Sequence, residues 1–216
     1  MKCRVNEIYP CLIGESTATG LTSLLIRLSG CNLDCCYCDT KHAQLEPGTL
    51  MAIPDLVATV AASGHRRVLI TGGEPLLQAQ GVAALSSALL ANGVDVFIET
   101  NGSLLLDSLP AGVKKIVDIK TPGSGAGGRF LPENLAHMRP WDQLKIVVTS
   151  EEDYRWAIDY LEALGPLPIA PENVLLSACN PGLDSATLAK WMIDGNVPYR
   201  LNVQLHRYLW GDSRGV

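Results

Sequence analysis

Short apolar runs rich in β-branched residues alternate with longer amphipathic stretches along most of the chain, and this alternation constrains the fold more than any other feature. Repeated strand–helix units predict a parallel β-sheet, either an open doubly wound sheet or a curved barrel. The predicted strands are 23–28, 67–71, 95–100, 115–120, 143–148, 174–177 and 200–204, and the predicted helices are 53–62, 80–91, 152–164 and 185–193.

The ends of the predicted helices carry ordinary capping residues. Ser150 is a candidate N-cap of the third helix, and either Asp184 or Ser185 is a candidate N-cap of the fourth. Glycines stand where the four helices are expected to stop, at Gly64, Gly93, Gly165 and Gly195.

The size and charge of the chain limit the kinds of protein that it can be. With 216 residues, 47% of them hydrophobic, we expect one domain with a large core over residues 1–216. A net charge of −5 argues against a broad basic surface for nucleic acid. No apolar run reaches the length of a membrane span and nothing resembles a secretory signal, so we expect a cytoplasmic protein without disulfides.

Three cysteines lie close together with the spacing C-x3-C-x2-C, at Cys31, Cys35 and Cys38. Three thiolates can hold three irons of a [4Fe-4S] cluster and leave the fourth iron open to an outside ligand such as S-adenosylmethionine (SAM). The alternative is a zinc site with His42 as fourth ligand, but structural zinc sites usually combine two separated pairs and the chain has no second C-x2-C. The spacing therefore favours a radical SAM enzyme. We interpret the other cysteines as ordinary small apolar residues, namely Cys3, Cys11, Cys36 and Cys179.

Polar signatures stand at the ends of four successive predicted strands. The cysteine loop follows the first strand and 71–75 (TGGEP) follows the second, while 99–102 (ETNG) and 118–122 (DIKTP) end the next two. Because ligands of both parallel architectures bind at the carboxyl ends of the strands, these segments predict one shared site. The glycine-rich stretch 123–128 (GSGAGG) is either a mobile flap or a surface linker, and we favour the linker.

Further segments stand in a fixed order along the chain: 7–9 (EIY), 14–16 (GES), 27–33 (RLSGCNL), 38–40 (CDT), 71–78 (TGGEPLLQ), 99–102, 118–122 and 203–210 (VQLHRYLW). Together with the cysteine triplet they resemble the 7-carboxy-7-deazaguanine synthase family of the radical SAM superfamily over almost the whole chain. This resemblance implies an α/β fold, a partial (incomplete) TIM-like barrel of parallel strands with helices outside.

The resemblance also implies the reaction. Members convert 6-carboxy-5,6,7,8-tetrahydropterin to 7-carboxy-7-deazaguanine with loss of ammonia, a lyase step toward queuosine and related 7-deazapurines. They use a [4Fe-4S] cluster, SAM and Mg²⁺. The implied partners are the pterin substrate, an unidentified electron donor and a second copy in a homodimer, with no nucleic acid and no membrane.

Site residues follow from the same resemblance, position by position. The cluster ligands would be Cys31, Cys35 and Cys38. The contacts to SAM would be Tyr37, Cys38, Asp39, Gly73, Asp118, Ile119, Lys120, Ser177, Ala178, Cys179 and Asn180. Substrate contacts would be Leu12, Ile13, Gly14, Arg27 and Thr71, and Thr40 would give Mg²⁺ a side-chain oxygen.

Several positions need separate comment. Arg27 interrupts an apolar strand, so an inward guanidinium would need an anionic partner such as the pterin carboxylate, whereas an outward one would be an ordinary surface residue. Ile13 stands where the family usually has glutamine, so only main-chain contacts carry over there. Thr40 has an alternative role as a turn or N-cap hydroxyl. His206 and Trp210 would serve in core packing or a dimer contact rather than as a cap over the pocket.

Other functions fit parts of the pattern. A glycyl-radical-activating enzyme shares the cysteine spacing and a similar size, and it would need a groove for a protein segment. A non-enzymatic iron–sulfur carrier or a zinc-binding protein is the alternative from another class. No general acid or base is assigned from the sequence.

Overall fold

A computed structural model describes residues 1–211 and 213–215, and within this part of the chain nine strands form one sheet. The order across the sheet is β3-β1-β2-β4-β5-β6-β7-β8-β9, with β1 antiparallel to both of its neighbours and all later pairs parallel. The strands are β1 (Lys2–Leu12), β2 (Thr22–Leu28), β3 (Thr49–Ala52), β4 (Arg67–Gly72), β5 (Asp95–Thr100), β6 (Lys114–Asp118), β7 (Gln143–Val148), β8 (Val174–Ala178) and β9 (Arg200–Asn202).

The parallel strands follow one another across the sheet in chain order, without the reversal of order that defines a doubly wound sheet. Right-handed crossovers then all pass over the same face, which leaves the opposite face free to curve inward. The outermost strands, β3 and β9, are not neighbours in the sheet, so the barrel is not closed. The fold is the predicted partial TIM-like barrel.

The predicted helices are present as α2 (Ile53–Ser63), α3 (Ala79–Ala91), α4 (Glu151–Ala163) and α5 (Ser185–Asp194). The Ser150 hydroxyl caps α4 by accepting a hydrogen bond from the amide of Asp153. Asp184 caps α5 in the same way, which decides between the two predicted residues. Two short helices, α1 (Lys41–Leu45) and α6 (Leu205–Trp210), were not predicted.

Each parallel strand has two different faces. The outward residues, such as Ile26, Ile70 and Ile146, are fully buried in the main core beneath the helices. The inward residues form a small apolar floor inside the barrel, made by Ile13, Leu25, Leu69, Phe97 and Ile116. Further along the same strands the inward positions become polar, so the open space lies at the carboxyl ends of the strands.

The structure also contains strands that the sequence did not reveal. β1 was missed because its inward side chains, Glu7, Tyr9 and Cys11, line the cavity instead of an apolar core, and a register shift between Val5 and Glu7 breaks the alternation. β6 ends at Asp118 and β9 at Asn202, two residues before their predicted ends.

Among the described residues, no helix has the length and apolar character needed to cross a lipid bilayer.

Candidate active site

A cavity of about 610 Å³ opens at the carboxyl ends of the parallel strands. Its walls combine the cysteine loop, the ends of β4 to β7, the inner face of β1 and several C-terminal residues, among them Gln204, His206 and Arg214. This is the edge at which the sequence placed the four polar segments. A concave, partly apolar site with convergent charged groups is typical of a ligand site.

The thiols of Cys31, Cys35 and Cys38 all face this cavity and none is in a disulfide. Burial raises the pKa of the Cys31 and Cys35 thiols, so a bound metal would be needed to hold them as thiolates. Cys31 Sγ lies 4.0 Å from the side-chain amide of Asn101, and Cys38 Sγ lies 3.8 Å from Thr40 Oγ1.

The spread of the three sulfurs distinguishes a cluster from a single ion. In the described part of the chain, the only group of three or more His, Cys, Asp or Glu ligand atoms all within 4.8 Å of one another is Glu15, Asp39 and His206. Tetrahedral zinc holds its thiolates at about 2.3 Å from the metal, which brings the sulfurs within roughly 4 Å of each other. The cysteines are more widely spread than that, so they fit the larger iron–sulfur cluster better than zinc.

The TGGEP segment joins the end of β4 to the cysteine loop. A Cβ on Gly73 would lie 2.2 Å from the carbonyl oxygen of Gly30, so only glycine allows this approach. The Glu74 amide donates to the same oxygen at 2.7 Å. The buried Glu74 carboxylate accepts hydrogen bonds from Thr100 Oγ1 at 2.8 Å and the Asn101 amide at 2.7 Å, which ties β4 to β5.

Arg27 points into the cavity, as its inward alternative required, and is 9% exposed. Its Nε donates to Glu7 at 2.9 Å and its Nη2 donates to the Tyr9 hydroxyl at 3.0 Å. The Glu7 carboxylate is also bonded to His42 and to Arg214 from the C-terminal tail. The guanidinium is thus held in one orientation at the wall of the site.

A second set of charges lies across the cavity. Lys145 Nζ donates to Glu15 at 3.1 Å and lies 3.4 Å from Asp118, whose other oxygen accepts a hydrogen bond from Lys120 at 2.7 Å. Burial would lower the pKa of Lys145, but the carboxylates of Asp118, Glu15 and Glu99 raise it well above its ordinary value. Lys145 therefore stays positively charged.

The buried Tyr37 hydroxyl beside the cysteines has no hydrogen-bond partner among the described residues, and Asp118 Oδ1 accepts no hydrogen bond there although Lys145 Nζ lies 3.4 Å from it. Buried polar atoms are rarely left unsatisfied in a folded protein. Both residues line the cavity, so a polar ligand beside the cysteines can satisfy them. Lys120 Nζ lies 5.7 Å from the centroid of the Tyr37 ring and braces it from behind.

Thr40 lies at the cavity wall and precedes α1, but its side chain makes no capping hydrogen bond to that helix. The alternative role of its hydroxyl as an N-cap is therefore not seen. Nearby, the tight group of Glu15, Asp39 and His206 is already partnered, because Glu15 pairs with Lys145 and Gln204 and Asp39 lies 3.7 Å from Arg207.

The structure brings most of the predicted site residues to the cavity wall and leaves four away from it. The side chain of Ile13 lies in the barrel floor, and those of Ile119 and Ala178 lie in the main core, so any ligand contact there must come from the main chain. Ser177 is 1% exposed and its hydroxyl accepts a hydrogen bond from Asn202. Those at the cavity are Leu12, Gly14, Arg27, Cys31, Cys35, Tyr37, Cys38, Asp39, Thr40, Thr71, Gly73, Asp118, Lys120, Cys179 and Asn180.

Sequence reasoning missed several cavity residues. Lys145 interrupts an apolar strand just as Arg27 does, and that signal was available in the sequence. Glu99 and Glu15 lie in segments that the sequence analysis singled out, and His42 was considered as a zinc ligand, but none of the three was predicted as a site residue by itself. His206 lines the cavity and is only half-buried, which corrects its predicted role in core packing and fits the alternative of a cap over the pocket. Trp210 is 38% exposed and is absent from the wall, and the dimer contact stays a prediction for both.

The predicted linker 123–128 is held by specific contacts instead, together with the two residues before it, and we call 121–128 the glycine loop. It begins with a 3-10 turn (Pro122–Ser124), and Ser124 is fully buried. The carbonyl oxygen of Ser124 accepts a hydrogen bond from the Cys36 amide at 2.9 Å, and that of Gly123 accepts one from the Cys36 thiol at 3.3 Å. Cys36 itself is exposed and its thiol is hydrogen-bonded, so it is not simply the small apolar residue that the sequence analysis took it for.

Comparison with known proteins agrees with this geometry. Residues 25–120 match the family model described as the Radical SAM superfamily. The chain is 35% identical to a 7-carboxy-7-deazaguanine synthase of Koribacter versatilis, over 99% of this chain and 100% of that protein. It is 39% identical to the enzyme of that name from Chlorobaculum tepidum, over 98% and 96% of the two chains.

Solved structures give the same result for the fold. The crystal structure of QueE from Escherichia coli matches with a TM-score of 0.77 and 26% identity, over 95% of each chain. Streptococcus suis SuiB bound to the precursor peptide SuiA matches with a TM-score of 0.58 at 16% identity, over 83% of this chain and 47% of that one, and shares the fold alone. The chain belongs to the 7-carboxy-7-deazaguanine synthase family, a branch of the radical SAM superfamily.

Proposed function

We propose that this chain is a radical SAM lyase that converts 6-carboxy-5,6,7,8-tetrahydropterin to 7-carboxy-7-deazaguanine with loss of ammonia. One observation carries the proposal. Three free thiols with the spacing of a three-cysteine cluster share a cavity with a fixed guanidinium, Arg27, on the inner face of the barrel. This reaction needs a cluster site and an anion-binding group in the same cavity.

Cys31, Cys35 and Cys38 would hold a [4Fe-4S] cluster and leave one iron open to SAM. When bound, the reduced cluster and SAM supply the radical chemistry that starts the rearrangement. The chain's own part is to bind and orient the two organic ligands and to keep water away from them.

SAM would lie between the cysteine loop and the ends of β4, β6 and β8. Tyr37 offers it a hydroxyl without a hydrogen-bond partner, Asp118 offers a carboxylate oxygen that accepts no hydrogen bond, and Gly73 offers main-chain groups where no side chain fits. Cys38, Asp39, Lys120, Cys179 and Asn180 complete this wall. Ile119, Ser177, Ala178 and the substrate contact Ile13 would contribute through the backbone.

The substrate carboxylate would pair with Arg27, because two of the guanidinium nitrogens are engaged by Glu7 and Tyr9 and the group is thereby aimed. The flat pterin ring would rest on the apolar floor that includes Leu25 and Leu69, near Leu12 and Gly14. The Thr71 hydroxyl, which donates to Glu99 at 2.9 Å, would face the ring from β4.

Thr40 would supply one oxygen to Mg²⁺, with the substrate and waters supplying others. Hard oxygen ligands suit this ion, which commonly keeps part of its water shell. The position of the Thr40 hydroxyl supports the assignment, since it lies at the cavity wall and makes no capping bond, and its contact to Cys38 Sγ is long, at 3.8 Å. The electron donor, a homodimeric assembly and the route by which the product is used belong to the same proposal and rest on family membership.

The C-terminal residues at the cavity favour a small substrate over a protein segment. Ser213, Arg214 and Gly215 lie in the cavity wall, and Arg214 is bonded to Glu7 on β1 and to Glu46 after α1. A glycyl-radical-activating enzyme would need an open groove at this place. We therefore favour the pterin over a peptide as substrate.

The test is anaerobic reconstitution with iron and sulfide, followed by dithionite, SAM, Mg²⁺ and the carboxytetrahydropterin. We expect 7-carboxy-7-deazaguanine by mass spectrometry and a shift of the cluster's electron paramagnetic resonance (EPR) signal when SAM is added. Cys35→Ala should prevent cluster assembly, whereas the matched variant Cys36→Ala should keep its iron. No product from the fully loaded protein would refute the proposed reaction, and a retained cluster in Cys35→Ala would refute the ligand assignment.

A further inference from the structure

The cysteine loop, residues 31–38, contains no helix or strand, so its neighbours must define its shape. Its central residue, Cys36, is hydrogen-bonded through both its amide and its thiol to the glycine loop. The ring of the next residue, Tyr37, lies against Lys120, just before the glycine loop. The position of the three cluster ligands therefore depends on how firmly the glycine loop is held.

One carboxylate holds the glycine loop in place. Asp153, in the first turn of α4 and 4% exposed, accepts four hydrogen bonds from the two loops that flank it. Oδ1 accepts from the amide of Gly123 at 2.9 Å. Oδ2 accepts from the hydroxyls of Thr121 and Thr149 at 2.8 and 2.6 Å and from the amide of Thr149 at 3.1 Å.

The main chain of the glycine loop packs tightly against Asp153 at Gly123. A Cβ on Gly123 would lie 2.3 Å from Asp153 Oδ2 and 2.2 Å from Thr149 Oγ1. Only glycine lets the loop approach the carboxylate this closely. The main chain at position 123 thus lies between Asp153 on one side and Cys36 on the other.

We infer that Asp153 is a positioning residue for the iron–sulfur site: it fixes the glycine loop, and through that loop the conformation of the cysteine loop. Asp153 is not part of the cavity wall and touches no candidate ligand. The inference rests on the proposed function for the identity of the bound group. The chain of contacts itself consists of residues of this protein alone.

The hydrogen-bonding pattern makes Asp153→Asn a sharp probe. The amides of Gly123 and Thr149 donate to different oxygens of the carboxylate, and asparagine has only one oxygen. Whichever way the amide group is turned, one backbone N–H faces an NH2 group. The side chain keeps its size while the glycine loop or the start of α4 loses its anchor.

The chain supplies a matched control in Asp142, which is also fully buried. Its Oδ1 accepts from the amide of Lys115 at 2.8 Å, and its Oδ2 accepts from the amide of Arg139 at 2.8 Å and from Lys115 Nζ at 3.0 Å. Asparagine loses one of the two backbone bonds for the same reason and also breaks the buried ion pair with Lys115, so this control loses at least as much stability as the probe. Asp142 lies at the amino ends of β6 and β7, at the edge of the sheet opposite the cavity. Asp142→Asn should therefore cost stability without loosening the cysteine loop.

The first measurement is amide hydrogen exchange on the cluster-free protein. In Asp153→Asn we expect exchange of residues 31–38 to accelerate by about tenfold, as a locally opened segment would show. The second is iron release from the reconstituted protein to a chelator, where loss of an outer support should accelerate release by about tenfold. Asp142→Asn should match the wild type in both, although its melting temperature falls.

Gly123→Ala is a second variant that displaces the loop while leaving the carboxylate intact, and it should give the same pattern. Equal exchange of residues 31–38 in the wild type and in both Asp153→Asn and Gly123→Ala would overturn the inference, as would equal iron release from all three. If the wild type takes up no iron and sulfide, the proposed function fails, whereas the exchange comparison on cluster-free protein still decides whether Asp153 positions the loop.

Discussion

The Thr40 hydroxyl makes the cleanest test at the scale of a single residue, because it faces the cavity and makes no capping bond to α1. In Thr40→Ala we expect the Mg²⁺ concentration for half-maximal activity to rise by about tenfold, equivalent to ~1.4 kcal/mol of binding free energy. Iron and sulfide content should not change. Titration of activity with Mg²⁺ measures the effect.

Thr40→Ser is the matched control for that titration, since it keeps the hydroxyl and removes only a methyl group. It should follow the wild-type curve. If Thr40→Ala followed the wild-type curve too, Thr40 would not be a ligand of the ion. Its side chain would then have some other role at the cavity wall.

At the scale of elements, the C-terminal tail closes one side of the cavity through Arg214. The guanidinium donates to Glu7 on β1 and to Glu46 after α1, so it links the tail to two separate elements. In Arg214→Ala we expect KM for the pterin to rise roughly fivefold, as loss of a partly exposed charged contact would give. The value of kcat and the iron content should change little.

Steady-state kinetics with the cluster-containing enzyme measure KM and kcat of Arg214→Ala, and Arg155→Ala is the control. Arg155 forms an exposed ion pair with Glu151 on α4, far from the tail, so its removal should leave KM unchanged. An unchanged KM in Arg214→Ala would show that the tail does not help to hold the substrate. A loss of iron in that variant would instead give the tail a role at the cluster.

Periodicity predicted the central elements well, because β4, β5, β7 and the four longer helices have apolar faces that the sequence displays. It failed for β1, whose inward side chains are polar since they line the site. It failed again for the glycine loop, because composition suggests flexibility while the buried Asp153 contacts that fix the loop are distant in sequence.

The same distinction between local sequence patterns and contacts of distant residues applies to the candidate site. Cys31, Cys35 and Cys38 were predictable because their spacing is local, and Arg27 because a charge within an apolar strand demands a partner. The partner was not predictable from the strand itself: Arg27 pairs with Glu7, which Arg214 reaches from 207 positions away along the chain. Such contacts exist only once the sheet has curved.

For the whole molecule, the buried charges predict how stability depends on pH. Burial alone would raise the pKa of Glu15, but the Lys145 ammonium and the hydrogen bond from Gln204 lower it to about 2. Hydrogen bonds likewise outweigh burial and lower the pKa of Glu7 and of Asp153. Carboxylates of this kind stabilise the folded state above their unfolded pKa of about 4.5, and the stabilisation is lost as the pH falls through the folded values.

Two other carboxyl groups act in the opposite direction. Burial raises the pKa of Glu74 and Glu99, so in the folded state they take up protons at a higher pH than in the unfolded chain. At mildly acidic pH they become protonated, which removes the free-energy cost of burying two carboxylate charges and so stabilises the folded state. The two effects together predict that the free energy of unfolding is greatest in weakly acidic solution and falls below about pH 4.5.

Urea unfolding of the cluster-free protein from pH 8 to pH 3 measures this curve. In Glu15→Gln the acid limb of this curve, the fall in the free energy of unfolding below about pH 4.5, should become shallower. The carboxylate whose protonation costs the folded state most is then gone, while Lys145 still has Asp118 beside it. Asp159→Asn, an exposed change on α4, should retain the wild-type slope. Because the slope reports the difference in bound protons between the unfolded and folded states, an unaltered acid limb in Glu15→Gln would mean that Glu15 is not held as a buried anion by Lys145.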